Sequence, residues 1–336
     1  MFEKVNPCHP DKMADRLAGA VVDLVYERAG GLTKANPRVA CEVMAGHGRV
    51  DVQIETSLGR MDLRAEDIDA LIHRLFGERV VGNVLIAPQD AHLSDNQTRG
   101  LRCGDNGIFK GCPPTEEQRV LTAIAATIYG SIPYDGKYII GGFDYRNFIR
   151  PSEGGKGSKA VTICQSHATE EEIADIWNKF WEQQGAKAVP RRPNRSGIDN
   201  CYRHDAYGAF SVKINPLGPW TGGPNTDSGA TNRKLGSDMG DGVTGGGLHG
   251  KDLSKADVSV NIWCYLESIR TGHQVTASCS IGDETVNGIP YKDIVEQARL
   301  YIHTLGGFEK FAEWGLIRPL AQEETFGAAR AEPNHV

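Results

Sequence analysis

Residues 211–257 limit what this chain can fold into more than any other stretch. Eleven of the 33 residues from 218 to 250 are glycine. Glycine reaches φ > 0 and lets backbone come close to a neighbour, at an entropic cost. Through the stretch run Trp220, Asp227, Arg233, Lys234, His249, Lys251, Lys255 and Asp257. Arginine neutralises phosphate as a rigid fork and lysine as a point charge, while an aromatic beside them can stack on a base. The stretch reads as a site for a highly charged nucleotide. The plainer alternative is a long exposed loop with solvated charges. A loop of this length inside a compact domain is uncommon and usually functional.

Composition narrows the partners. The net charge is −6, so nucleic acid is not expected as the main partner, and any phosphate site must be a local basic cluster. The 336 residues leave room for on the order of two or three domains. No apolar run approaches the roughly 18 residues a membrane span needs. The opening Met1-Phe2-Glu3-Lys4 lacks an apolar signal core, so a cytoplasmic protein with no membrane partner is expected. The eight cysteines form no CxxC pair, which favours reduced thiols over disulfides or a zinc site.

Taken in order, the chain alternates helices with strand pairs. His9-Pro10-Asp11-Lys12 opens an amphipathic helix carrying Met13, Leu17, Val21, Leu24 and Val25 on one face. Pro10 suits the first helical position and Asp11 complements the dipole. His9, Asp11 and Lys12 together also suit a metal or phosphate site at a helix start. Strands over 38–45 and 49–56 alternate apolar with polar residues, so Glu42 and Glu55 share a polar face. That face is either wet or covered by a partner subunit. A helix over 66–76 and a strand over 80–87 follow. The polar loop 88–107, with Gln89 and Asp105, suits a mobile lid. Thr115-Glu116-Glu117-Gln118 is a capping box opening a helix to about residue 129.

Strands over 137–142 and 160–165 flank residues 150–159, which lack the spacing of a phosphate-binding P-loop. A helix over 170–184 buries Trp177 and Trp181. Residues 185–209 read as a connection between domains. Ser254 and Asp257 form a second capping-box pattern before a helix to about residue 270, followed by a strand over 275–281 and a helix over 294–304. The expected class is α+β, each domain a sheet with helices on one face.

His9-Pro10-Asp11-Lys12 with Ala14-Asp15 resembles the opening motif of the methionine adenosyltransferase (S-adenosylmethionine synthetase) family. Ala40-Cys41-Glu42 and Gly104-Asp105-Asn106-Gly107 resemble two further motifs of that family. Its long C-terminal signature is similar to Asn215-Pro216, Gly222-Gly223-Pro224, Asp227-Ser228-Gly229, Thr231-Asn232-Arg233-Lys234, Gly245-Gly246-Gly247 and the run from Gly250-Lys251-Asp252 to Ala256-Asp257. The matches keep their order over about residues 6–282, in a chain shortened in its middle and C-terminal parts.

The resemblance implies three similar α+β domains in a pseudo-threefold arrangement: 1–112 with a gate loop over 88–107, 113–209, and 210–336 with the glycine-rich site. It implies attack of methionine sulfur on C5′ of ATP and hydrolysis of the expelled triphosphate, in one-carbon metabolism. By the same resemblance His9, Arg233, Lys234, Lys251 and Lys255 are catalytic. Lys12, Trp220 and Asp227 join them around ATP, with Lys159, or Lys156 in the alternative register. Glu55, Gln89, Asp105, Asp227 and Lys255 bind methionine. Asp11 and Asp257 hold Mg²⁺, two ions per site, and Glu42 holds K⁺. The partners implied are ATP, methionine and a second copy of the chain, as homodimer or tetramer. A phosphohydrolase, or a non-catalytic regulatory subunit on the same fold, are the alternative readings.

Overall fold

The computed structural model describes residues 1–59, 61–92, 95, 101, 107–141, 158–189, 201–205, 208–244 and 246–319. Asp105, Lys156 and most of the expected lid lie outside them. The class is α+β, as anticipated, and the chain divides into two compact units. One takes the described residues of Met1–Cys8, Pro114–Gly222 and Ile317–Val336; the other takes those of His9–Pro113 and Gly223–Leu316.

The first unit holds a six-stranded sheet in the order β1 (Phe2–Val5), β6 (Gly136–Gly141), β7 (Ser158–Gln165), β10 (Gly208–Ile214), β9 (Cys201–His204) and β8 (Lys187–Val189). All neighbours run antiparallel except β7 and β10. Helices α3 (Glu116–Ser131) and α4 (Glu170–Gln183) belong to this unit. Both begin with a completed capping box, at Thr115 with Gln118 and at Thr169 with Glu172. Trp177 and Trp181 are fully buried, and Trp181 stacks on Phe210 at 4.5 Å, so both are core. The expected connection over 185–209 is corrected: β8 and β9 extend the sheet there. At three and four residues they are too short to show alternation.

The second unit is built on a four-stranded sheet in the order β11 (Gly229–Ala230), β2 (Val39–Gly46), β3 (Arg49–Thr56) and β4 (Val81–Pro88). The parallel pair β3 and β4 is joined through α2 (Ala65–Phe76), because parallel neighbours need a crossover. Inward residues Val43, Val52 and Ile54 meet Leu17, Val21 and Val25 of α1 (Pro10–Arg28) and Ile68 and Ile72 of α2 in one core. A second layer packs α6 (Ala256–Thr271) and α7 (Tyr291–Leu305) around a ribbon of β5 (Gly107–Gly111) and β12 (Val275–Cys279). Two short helices, α5 (Leu235–Met239) and α8 (Phe308–Trp314), and the small hairpin β13 (Thr285–Val286) and β14 (Ile289–Pro290), complete it. Among the described residues no helix is long and apolar enough to cross a membrane.

Two residues of α1 dock α8. A Cβ on Gly19 would lie 2.7 Å from the Phe308 carbonyl, so only glycine allows this approach. One turn on, the Asp23 carboxylate accepts from the amides of Phe308 and Glu309 at 2.8 and 2.9 Å. Burial pushes this carboxyl up to about 6, against those two donors. The protonated form is therefore favoured by the folded state. Its stabilisation is fully present below about pH 4 and is lost as pH rises through about 6, a change of ~3 kcal/mol. Asp23→Asn should flatten the fall in urea midpoint between pH 4 and 6.5. An equally steep fall in the variant would assign the pH dependence to another group.

Candidate active site

Strand β2 holds two glycine-rich segments along one edge. At its C-terminal end β11 pairs antiparallel, with Gly229 opposite Ala45 and Ala230 opposite Met44. At its N-terminal end Cys41 N–H donates to Gly250 O at 2.7 Å and Asp252 N–H to Val39 O at 3.0 Å. Neither approach tolerates a side chain. A Cβ on Gly229 would sit 2.1 Å from Pro10, and one on Gly250 would sit 2.2 Å from Cys41 O. The glycines thus bring residues 229–234 and 246–257 to the N-terminus of α1.

At that terminus His9 is the cap, its Nδ1 accepting from Asp11 N–H at 3.2 Å. The buried Asp11 carboxylate is the hub. Oδ1 accepts from Ala230 N–H at 2.9 Å and lies 3.4 Å from Arg233 Nε; Oδ2 lies 3.6 Å from Lys234 Nζ and 3.8 Å from His9 Nδ1. Arg233 is largely exposed and Lys234 less so. Nearby in sequence, Lys251 Nζ meets Asp257 Oδ2 at 2.6 Å. Gly246, at φ 82°, wraps the other carboxylate oxygen so closely that its Cβ would lie 2.2 Å away. The Ser254 capping box is corrected: α6 starts from Lys255, and Asp257 pairs with Lys251 instead. Lys255 is half-buried, and among the described residues its ammonium makes no ion pair.

Beneath the hub lies a buried cage. Lys12 Nζ donates to Asp238 Oδ2 and Oδ1 at 2.7 and 2.8 Å and to Asp15 Oδ2 at 3.1 Å. His249 Nε2 lies 2.9 Å from Asp238 Oδ2 and 3.9 Å from Asp15 Oδ2. Burial by itself would lower the Lys12 ammonium, but Asp238 and Asp15 outweigh it and hold it above its ordinary value. Burial raises the Asp15 carboxyl against the pull of Lys12. Asp15, Asp238 and His249 lie close enough to hold a metal ion, yet the Lys12 ammonium bonds both carboxylates and lies 3.4 Å from His249 Nε2. Lys12 itself, read from the sequence as a phosphate contact, is fully buried against carboxylates. Asp15 and Asp238 had no assigned role. The lysine–aspartate spacing of three on α1 was the one signal that could have paired Lys12 with Asp15.

The remaining expected residues fall in two places. In the second unit Glu42 and Glu55 are exposed on one sheet face, with the Thr231 hydroxyl donating to Glu42. Gln89 N–H donates to Thr56 O at 2.9 Å, which sets Gln89 at the strand end carrying Glu55. Asp227 is exposed and accepts from Ser228 N–H at 2.8 Å. In the first unit Lys159 pairs with Glu117 at 2.9 Å and Glu116 at 3.3 Å. Trp220 is there too; its indole lies where a Gly222 side chain would be, and Nε1 is buried without a partner among the described residues.

Fold and site together set buried carboxylates beside basic side chains on an α+β scaffold. No family model matches the chain. Curated relatives named S-adenosylmethionine synthase do match. That of Nitrobacter hamburgensis is 26% identical over 292 residues, 76% of this chain and 70% of that protein. That of Salinibacter ruber is 28% identical over 282 residues, 76% and 69% of the two chains. Among solved structures, an unusual S-adenosylmethionine synthetase from Campylobacter jejuni shares the fold, with TM-score 0.61 and 19% identity over 96% of this chain and 94% of that one. The chain is thus similar to S-adenosylmethionine synthases at 26–28% identity over about three quarters of its length.

Lys12→Met should cost about 3–5 kcal/mol in denaturant unfolding, because it leaves two buried carboxylates facing each other. A variant that keeps wild-type stability but binds ATP weakly would instead favour the phosphate role that the resemblance gives Lys12.

Proposed function

We propose that the chain is a methionine adenosyltransferase, converting ATP, L-methionine and water to S-adenosylmethionine, phosphate and pyrophosphate. One observation carries the reading. Residues 9–12, 229–234 and 246–257 belong to one compact unit, where Asp11 lies beside Arg233 and Lys234 and Asp257 against Lys251. The names of the relatives support it.

The chemistry explains these residue types. A thioether has no proton to lose, so its attack on C5′ needs no general base. It needs in-line placement and stabilisation of charge growing on the leaving triphosphate. Arg233, Lys234, Lys251 and Lys255 take the phosphate oxygens, and His9, already turned toward Asp11, sits near the C5′ oxygen. The resemblance alone assigns Lys159 to phosphate and Trp220 to adenine, both residues of the first unit. Glu55, Gln89 and Asp227, with Asp105, take the polar ends of methionine.

The donor set at Asp11 and Asp257 suits Mg²⁺: hard carboxylates, each beside cations that can turn to phosphate and release it. Bound Mg²⁺ neutralises phosphate charge. Glu42, with the Thr231 hydroxyl beside it, offers oxygen donors for K⁺.

The exposed sheet face brings Met44, Val81 and Leu85 together with Glu42, Gln53 and Glu55. Apolar surface of this kind asks for a cover. A second copy of the chain, in a homodimer of three-domain protomers with pseudo-threefold domains, supplies it. The setting is the cytoplasm and one-carbon metabolism.

Incubation with ATP, methionine, Mg²⁺ and K⁺ should yield S-adenosylmethionine with phosphate and pyrophosphate, dependent on methionine. Phosphate without S-adenosylmethionine would replace the reading with a phosphohydrolase. Neither product would point to a binding subunit. Arg233→Ala and Lys255→Ala should each lower turnover about a hundredfold. Their unfolding free energies should stay within about 1 kcal/mol of wild type, since neither side chain is core. Lost folding with unchanged specific activity would sink these two assignments.

A further inference from the structure

The geometry points to Asn232 as a positioning residue that sets Arg233 and Lys234 in register with the loop carrying Lys251. The inference rests on the transferase reading for its chemistry, but not for its geometry.

Asn232 has a left-handed backbone, φ 64°, at the turn between β11 and the two cations. Its backbone N–H donates to Asp15 Oδ1 at 2.7 Å, so α1 fixes its main chain. Its side-chain amide forms a two-way bridge to the main chain of residue 249. Oδ1 accepts from His249 N–H at 2.9 Å, and Nδ2 donates to His249 O at 3.3 Å. A Cβ on Gly247 would lie 2.5 Å from Nδ2, so the loop has no side chain where the amide enters. His249 is in turn held by Asp238, which also holds Lys12. The loop's main chain is thus tied to the side chain of Asn232, whose own main chain is tied to α1. Arg233 and Lys234 follow at once on one side of the bridge, and Lys251 follows two residues on from the other. Triphosphate must meet all three cations together. The bridge holds the two segments in the register that β2 gives them, while Arg233 itself is largely exposed and Lys234 Nζ is 3.6 Å from Asp11.

Asn232→Gly tests it. Glycine keeps the left-handed backbone and the N–H to Asp15 and removes only the amide. Asn287→Gly is the control: Asn287 also has positive φ, 51°, and donates to Thr276 O at 2.9 Å, in the β13–β14 hairpin. Calorimetry with tripolyphosphate and steady-state S-adenosylmethionine formation are measured on the full chain. Loss of two hydrogen bonds that fix cation spacing should weaken tripolyphosphate binding and lower kcat about tenfold each. The KM for methionine should be unchanged, and the Tm should fall no more than in Asn287→Gly. Asn232→Asp, which keeps an acceptor for His249 N–H but sets a second carboxylate oxygen against His249 O, should not recover the loss.

Wild-type affinity and kcat in Asn232→Gly would overturn the inference. So would a Tm loss well beyond the control with normal activity per folded molecule. If wild type binds tripolyphosphate but makes no S-adenosylmethionine, the transferase reading falls and the affinity ratio still decides the role of Asn232. If wild type binds no tripolyphosphate, both fall.

Discussion

The second unit depends on taking one ammonium wholly out of water. Lys12 has no exposure, and its charge is met by Asp15 from its own helix and by both oxygens of Asp238 from α5. Desolvating three charges is expensive, and well-packed apolar residues could stabilise the unit as well or better. What the cage supplies instead is uniqueness of arrangement. A shift of α1 against α5 by one turn would leave a buried charge unmatched. Asp238 extends the constraint, since its carbonyl accepts from Leu316 N–H at 2.8 Å and a Cβ on Gly315 would collide with it. The end of α8, α5 and the start of α1 are thereby fixed to each other before any ligand is considered.

Upon that base, β2 acts as a ruler. Its edge carries residues 229–230 at one end and 250–252 at the other, and the interval along the strand becomes the interval between two groups of cations. Glycines at 229 and 250 are required because helix and strand backbone occupy the space where a Cβ would stand. At these two positions glycine thus serves close backbone approach. Gly246 serves a different purpose, curling around the carboxylate of Asp257.

Most elements with clear periodicity were legible from the residues alone. The helices at 10–28, 116–131 and 170–183 and the strands at 39–46 and 49–56 carry amphipathic stripes, caps or alternation that local physics determines. The placement of Asp11, Arg233 and Lys234 in one cluster was legible too, from motifs far apart in sequence. Strands β8 and β9 were not, because they are short and charged and owe their pairing to the sheet already present. Nor was the burial of Lys12. A lysine in the first turn of a helix normally faces water, and its pairing with Asp238 spans 226 residues. The ion pairs of Lys159 with Glu116 and Glu117 were not legible either, since they join residues more than 40 positions apart.

The pairing of Asp11 and Asp257 with cations also bears on how an acidic chain would keep the proposed polyanion site stable without its ligand. At net charge −6 the molecule as a whole repels phosphate, so the attraction must be local. Four or five unpaired cations in one pocket would repel each other. With Arg233 and Lys234 beside Asp11 and Lys251 against Asp257, part of that repulsion is offset before any ligand binds. In the proposed reaction the same carboxylates become metal ligands as the cations turn to phosphate. Arg233, Lys234 and Lys251 then have a partner in both states, and what changes is which partner each has. Such an exchange demands that the cations move through small, defined distances. Rigid anchorage of their main chain, through Asp15, Asn232 and residue 249, is the physical condition for it.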